Sequence, residues 1–273
     1  MASPLFERMV RAIEAGAFPR SRRFAWKFLY NGLGRLWRDS DWRFMNYGWL
    51  PPEGEAPLNL APEDEAERPF IGLYDHVARG LPLEGARVLE IGSGRGGGAR
   101  YVARYFKPDT VIGVDFSGPA TARARALNAD TPNLRFAVGD AERLDFPDAS
   151  FDVVLNVESS HCYGDMDRFV AEAARVLKPG GWFGWADMRS KGAVTQTDKS
   201  LARPEFVLER QRDISADVVR ALDAANDRKQ NRIAKLRLMR RFMAEFAGTK
   251  GSLLYRGLKS GDVTYMSRRY RKL

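Results

Sequence analysis

Val88-Leu-Glu-Ile-Gly-Ser-Gly-Arg-Gly-Gly-Gly98 is an apolar run that ends in an acid and then breaks into glycines. It reads as a buried strand, a tight turn and the start of a helix. Glycine lets the backbone bend sharply and come close to a ligand, and a helix starting near Ala99 offers its free N-terminal amides to that ligand. Outward from this stretch, strands and helices alternate from Arg87 on, the pattern of a parallel sheet with crossover helices. Strands are expected at residues 88–91, 111–115, 134–138, 151–157 and 182–186, with helices at 69–80, 120–129 and 167–177. Further strands are expected at 206–214 and 264–270. Between them, 216–246 is strongly helical and rich in Arg and Lys, an inserted lid or an oligomer-forming helix. The fold expected is α/β and doubly wound, with a seven-stranded, mostly parallel sheet covered by helices on both faces.

Two ligands suit the glycine turn. Gly92, Gly94 and Gly97 satisfy G-x-G-x-x-G, which cradles a dinucleotide pyrophosphate, and the same turn also reads E-x-G-x-G-x-G, a loop that takes S-adenosyl-L-methionine (SAM). Glu90 favours SAM, because a carboxylate at the strand end repels pyrophosphate. It suits an ammonium and a sulfonium, either directly or by ordering the loop amides. Ser93 belongs to the same loop. Asp115, with Phe116 beside it, closes the second strand about twenty residues on, where an acid reaches a ribose diol. Its competing use is to cap the next helix near Ser117. Asp140 follows the third strand and can accept from an adenine amine while Ala141 offers its amide. A dehydrogenase has no fixed need for an acid there. Asn156 and Glu158 close the fourth strand at the carboxyl edge of the sheet, where open α/β folds bind ligands.

Composition narrows the classes further. The 273 residues, 44% of them hydrophobic, suffice for one large domain with additions. The division expected is 1–68 for an N-terminal helical lid and connector, 69–190 for the cofactor core, and 191–273 for the rest of the sheet with its helical insertion. No apolar run is long enough to span a membrane and the N-terminus lacks a signal-peptide core, so a cytoplasmic location is expected. One cysteine, Cys162, excludes an intrachain disulfide, and two histidines, His76 and His161, exclude a histidine-rich metal site. His76 falls beside the apolar stripe of the 69–80 helix, which suggests a surface role. The net charge of +9 divides into +5 over residues 1–50, −8 over 51–227 and +12 over 228–273. Basic ends of this kind mark a solvated exterior, a surface for anionic lipid, or a nucleic-acid footprint.

Together the segments from about 85 to 187 resemble class I SAM-dependent methyltransferases, including the Leu177-Lys-Pro-Gly-Gly-Trp182 turn. Over nearly the whole chain the resemblance is to phthiotriol and phenolphthiotriol dimycocerosate methyltransferases and related lipid and fatty-acid O-methyltransferases. It is carried by Arg95–Ala99, Val154–Tyr163, Ala186–Arg189 and Phe246–Ser252, and by Phe44-Met-Asn-Tyr-Gly-Trp49. It implies a Rossmann-like fold and methyl transfer from SAM to an oxygen, hydroxyl or carboxylate, of a large hydrophobic acceptor.

Within Glu158-Ser-Ser-His-Cys-Tyr163, His161 is the general-base candidate, because a hydroxyl attacks only once its proton is removed. Glu158 is placed to orient the imidazole or touch cofactor, and Tyr163 to position the acceptor. The competing reading is that alignment alone suffices, since a sulfonium is already a strong leaving group and a carboxylate acceptor needs no base. Tyr47 and the aromatic residues before it, from Phe24 on, are the candidates for a lid that excludes water. A nucleic-acid methyltransferase is less favoured, because Asn156-Val-Glu-Ser159 lacks the Pro-Pro-aromatic continuation used on exocyclic amines. A non-catalytic SAM- or lipid-binding protein is the remaining alternative. The partners expected are a hydrophobic small molecule, an anionic lipid surface and a second copy of the chain.

Overall fold

The computed structural model describes residues 42–234 and 240–273. Most of the aromatic N-terminal stretch expected as a helical lid therefore lies outside the described residues; its described end, 42–50, is an extended strap without helix. The connector after it is mostly irregular but ends in a 3-10 helix at Pro62–Glu67.

Seven strands, β1 (Arg87–Ile91), β2 (Thr110–Asp115), β3 (Leu134–Val138), β4 (Phe151–Val157), β5 (Leu177–Ser190), β6 (Phe206–Asp213) and β7 (Val263–Lys272), form one sheet in the order β3-β2-β1-β4-β5-β7-β6. The pairs from β3 through β5 are parallel, and β7 inserts antiparallel between β5 and β6. The order reverses between β1 and β4, so the connections leaving their carboxyl ends diverge and open a crevice there.

Eight α-helices surround the sheet: α1 (Arg68–Ala78), α2 (Gly97–Tyr105), α3 (Gly118–Leu127), α4 (Met166–Val176), α5 (Lys191–Leu201), α6 (Ser215–Ala234), α7 (Arg240–Phe246) and α8 (Leu253–Ser260), counted among the described residues. Polar caps fix several starts. The Ser117 hydroxyl accepts from the Ala120 amide at 3.3 Å, Asp165 from Arg168 at 3.0 Å, and Ser252 from Tyr255 at 3.2 Å. Helices on both faces explain why Val88, Leu89, Val153 and Val154 are all fully buried although neighbours in a strand point to opposite sides. One face packs Leu73, Val77 and Val102 of α1 and α2 against the sheet, the other Phe169 and Val170 of α4 against Phe151, Phe183 and Trp185. Each such side chain contributes about 1.5–3 kcal/mol.

Three expectations change. Strand β5 begins at Leu177, five residues early, because Leu177 already pairs with Phe151; the chain reaches Trp182 through a bulge in which Gly180 takes φ +77°. Helices α5 and α8 were not anticipated, whereas the described parts of the long basic helix expected at 216–246, α6 and α7, are helical. His76 is buried, not superficial. Trp49 of the strap covers it with ring centroids 4.6 Å apart, and burial with nearby Arg210, Arg212 and Arg269 pushes its pKa down to about 3. No helix among the described residues is long and apolar enough to cross a membrane.

Candidate active site

The crevice at the carboxyl ends of β1, β2 and β4 holds a cavity of about 140 Å³, into which the glycine turn, Asp115, Asp140 and Glu158 all face. The turn is held by two short bonds, from the Gly92 amide at 2.7 Å and the Ser93 amide at 3.0 Å to the Val114 carbonyl. Glycine is required at Gly92 in the turn and at Gly98 in the first turn of α2. A Cβ on Gly92, whose φ is +79°, would overlap the Ser159 hydroxyl, and one on Gly98 would overlap the Tyr74 ring. At Gly94 the same atom would meet only Met45 Sδ at 3.5 Å, so here the backbone opens onto the cavity. Ser93 and Gly97 line it as well.

Asp115 takes the backbone amide at the start of the next helix and also faces the cavity. Its Oδ1 accepts from the Ser117 amide at the start of α3, its Oδ2 from the Gly94 amide, each at 2.8 Å, and it lines the cavity. Burial raises its pKa while those two amides pull it back. Each oxygen keeps a lone pair for a hydroxyl. Phe116, Asp140 and Ala141 line the same end, with Asp140 Oδ1 accepting from the Glu142 amide at 3.1 Å.

Glu90 does not line the cavity. It lies beneath the turn, 1% exposed, and its Oε1 accepts from the Tyr74 hydroxyl at 2.7 Å. Burial pushes its carboxyl up to about 7, against the lowering pull of the Tyr74 hydroxyl and the Ala99 amide. Of the two modes foreseen for it, this arrangement matches the ordering of the loop and the α2 start. Asn156 is likewise buried behind the wall. Its Nδ2 donates to the Ile91 carbonyl at 2.9 Å, to Ser159 at 2.8 Å and to the Tyr163 hydroxyl at 3.0 Å. Ser159 and Tyr163, themselves 2.9 Å apart, carry this brace to the cavity surface.

Glu158 faces the cavity from a left-handed backbone conformation, φ +51°, which is costly for a residue with a Cβ and typical of sites where the fold imposes a direction. It does not hold the imidazole. Its Oε2 accepts from the Tyr47 amide at 2.9 Å and the Tyr265 hydroxyl at 2.7 Å, which ties the strap to β4 and β7. Burial pushes this carboxyl up to about 8. Tyr47 thus touches the site through its backbone. Its ring lines a second cavity of about 50 Å³, and its hydroxyl donates to the Phe246 carbonyl at 3.2 Å. The strap is pinned further by Asn46 Nδ2 on the Phe70 carbonyl at 3.1 Å, the Trp49 amide on the Pro69 carbonyl at 2.8 Å, and the Trp49 indole on Asp217 at 3.1 Å.

What grips His161 is Asp187, a residue the sequence reading did not single out. Asp187 is fully buried at the carboxyl end of β5. It accepts from the Ser160 hydroxyl at 2.6 Å, the His161 amide at 2.8 Å and the Met188 amide at 2.9 Å; its Oδ1 lies 2.8 Å from His161 Nδ1, and Arg189 lies 3.1 Å away. Despite its burial, the charges of His161 and Arg189 and these donors hold its carboxyl well below the usual range. Burial opposes charge on His161, but the Cys162 sulfur and the Asp187 carboxylate outweigh it and push the ring up to about 10. The Asp187 contact thus favours the charged form of His161, which is not among the residues lining the cavity, although its neighbours Cys162 and Tyr163 are. One signal could have found Asp187: it directly follows the strand expected at 182–186, where the pairing of β5 with β4 ends at Ala186.

Residues 89–184 match a family described as a methyltransferase domain. The chain is 35% identical over 261 residues to the phthiotriol/phenolphthiotriol dimycocerosates methyltransferase of Mycobacterium tuberculosis, covering 94% of each. It is 41% identical over 201 residues to the fatty-acid O-methyltransferase of Mycolicibacterium smegmatis, covering 73% of this chain and 72% of that one. Among solved structures, the [4+2]-cyclase SpnF superposes with a TM-score of 0.71 at 22% identity, covering 89% of this chain and 93% of that one, a likeness of fold only.

Proposed function

The chain belongs to the SAM-dependent methyltransferases, in the family that holds the phthiotriol and fatty-acid enzymes, and from this premise we propose that it methylates an oxygen of a hydrophobic, lipid-like acceptor. The observation that carries the reading is the pairing of two cavities across one strap. The acid-rimmed cavity at the glycine turn and the apolar second cavity share Phe44, Met45 and Asn46 as their common wall. A polar cofactor and an apolar acceptor would each find a matching surface there.

The donors and acceptors of the first cavity suit SAM. Asp115 has an oxygen for each ribose hydroxyl, Asp140 and Ala141 suit the adenine edge beside Phe116, and the open face at Gly94, with Gly92, Ser93 and Gly97, admits the amino-acid portion. When bound, the cofactor supplies an electrophilic methyl on a sulfonium. The chain's contribution is alignment and dryness. Glu158 and Tyr265 hold the strap closed over the cavity, and the Asn156–Ser159–Tyr163 brace fixes the wall beside the turn. In this reading Asp187 is a positioning residue. It holds His161 charged, and His161 could take a proton from a hydroxyl acceptor only once the ring had lost its own. The basic stretch from 228 to 273, +12 in charge, suits approach to an anionic lipid surface.

Methyl-labelled SAM incubated with the purified protein and a lipid extract tests the proposal. Label recovered as a methyl ether or ester supports it, and label confined to nitrogen or to nucleic acid rejects it.

A further inference from the structure

Strand β6 is the outer strand at one end of the sheet, and little packs on it. Phe206 is buried on Phe183 and Tyr270; every other residue of the strand is exposed except the half-buried Arg210. Of the four large apolar side chains that stand exposed among the described residues, three lie at this edge. They are Val207 at 37%, Leu208 at 49% and Leu273 at 67%, the last with its amide on the Glu205 carbonyl at 2.9 Å.

The same edge is basic. Residues directly opposite each other on paired strands share a face, and the register sets Val207 opposite Arg271, Arg210 opposite Arg269, and Arg212 opposite Ser267. Since 267, 269 and 271 alternate along β7, all three pairs lie on one face of the sheet. Arg271 is answered by Glu209 at 3.3 Å, and Arg269 reaches only the carbonyls of Arg79 and Gly80, just past the end of α1. Arg210 and Arg212 have no carboxylate partner among the described residues. Like charges directly opposite each other weaken a sheet. Their crowding is felt: burial, with Arg212 near Arg210 and Arg210 near Arg269, lowers the pKa of both Arg210 and Arg269.

We propose that the β6 edge of the sheet docks on an anionic lipid surface, with Arg210 and Arg212 on headgroup phosphates and Val207 and Leu208 entering the headgroup layer beside them. What the patch lacks is negative charge, and a layer of acidic headgroups supplies many such charges at once, with apolar depth behind them. Val207 and Leu208 point to opposite faces of the strand, so an edge-on approach brings both into that layer. A second copy of the chain fits less well. It would bring the same arginines against themselves, and the bulge between Leu208 and Arg210 interrupts the ladder that edge-to-edge pairing would extend. A nucleic acid would answer the arginines and leave the exposed valine and leucine in water. Docking holds the chain on the surface that dissolves a lipid-like acceptor, and in that respect it rests on the methyltransferase reading.

Sedimentation of the full chain with vesicles of phosphatidylcholine, alone or mixed with phosphatidylglycerol, tests the surface. The native protein is expected to bind the mixed vesicles, less so at high salt, and to leave pure phosphatidylcholine alone. Arg210→Gln with Arg212→Gln should weaken binding about 25-fold, roughly fivefold for each cation at an anionic surface. Val207→Ser with Leu208→Ser should weaken it about tenfold. Arg135→Gln with Val138→Ser places the same chemistry on β3, at the opposite edge of the sheet, and should bind like the native protein. All of these positions are exposed or half-exposed, so each variant should keep at least the native unfolding midpoint in urea. Native protein that ignores the mixed vesicles, a β6 variant that binds them undiminished, or an equal loss in the β3 variant overturns the proposal. So does a dimer that the β6 substitutions disperse in a chain that leaves vesicles alone, which would give the edge to a second copy. Failure of S-adenosylhomocysteine to bind the native protein in calorimetry would instead overturn the methyltransferase reading and leave the vesicle result standing.

Discussion

Neither histidine of this chain should titrate near pH 6.5, and the one on Asp187 carries the stronger test. His161 rises from an ordinary 6.5 to about 10, a gap that corresponds to about 5 kcal/mol at 1.36 kcal/mol per pH unit. Since the folded pKa lies above the unfolded one, this stabilisation is fully present below pH 6.5 and is lost as the pH rises toward about 10. By pH 8.5 about 3 kcal/mol of it is gone. The loss is isolated by comparing urea unfolding of the native protein with His161→Gln, in which the other titrations cancel. Nitrogen-resolved NMR of the imidazoles reads the protonation itself, and with two histidines in 273 residues the spectrum has two signals to assign. The His161 signal should stay cationic past pH 8, and the His76 signal neutral down to about pH 4. Asp187→Asn should bring His161 down by more than one pH unit and cost about 3–5 kcal/mol of stability, because it leaves Arg189 and His161 buried against a neutral amide. A His161 signal titrating near 6.5 in the native protein would refute the reasoning and restore the ring as a base at neutral pH.

Other outcomes follow from the same geometry. Asp115→Asn keeps one carbonyl oxygen and turns an NH2 group toward either the Gly94 or the Ser117 amide, so calorimetric affinity for S-adenosylhomocysteine should fall about 10–100-fold. Gly92→Ala places a methyl group on Ser159 at φ +79° and should cost about 1–3 kcal/mol of stability, read by urea unfolding, together with cofactor affinity. His161→Gln should change turnover of a carboxylate acceptor less than tenfold; a loss of two or more decades in kcat at constant KM would mark a base. His76→Leu should remove a loss of stability of about 2 kcal/mol that the native protein suffers between pH 7 and pH 5, because the unfolded imidazole binds a proton over this range while the buried one stays neutral.

How far the chain could be read beforehand depended on whether a feature was local. Strands β3 and β4 lie where the apolar spacing puts them, because their ends are marked by the following Gly139 and by the acid Glu158. Antiparallel insertion of β7 between β5 and β6 leaves no trace in spacing, since period-two alternation says nothing of direction. His76 was misread because Trp49, its cover, arrives from a strap 27 residues upstream without regular structure. At the site, the residues expected at the first cavity mostly assemble there, with Gly92, Ser93, Gly94, Gly97, Asp115, Phe116, Asp140, Ala141, Glu158 and Tyr163 on its walls. Glu90 and Asn156 act from behind the wall, and Tyr47 serves the neighbouring cavity. Asp187 escaped notice because its meaning lies in a long-range partner, His161 across 26 residues.

The central claim is methyl transfer from SAM to an oxygen of a lipid-like acceptor, and one measurement meets it directly. The full chain is incubated with trideuteromethyl-labelled SAM and a mixture of fatty acids and long-chain alcohols, and the products are resolved by mass spectrometry. The account predicts label on oxygen, as a methyl ester or methyl ether, with S-adenosylhomocysteine formed in equal amount. Cofactor that binds but leaves every acceptor unlabelled, or label found on carbon or nitrogen, would contradict it.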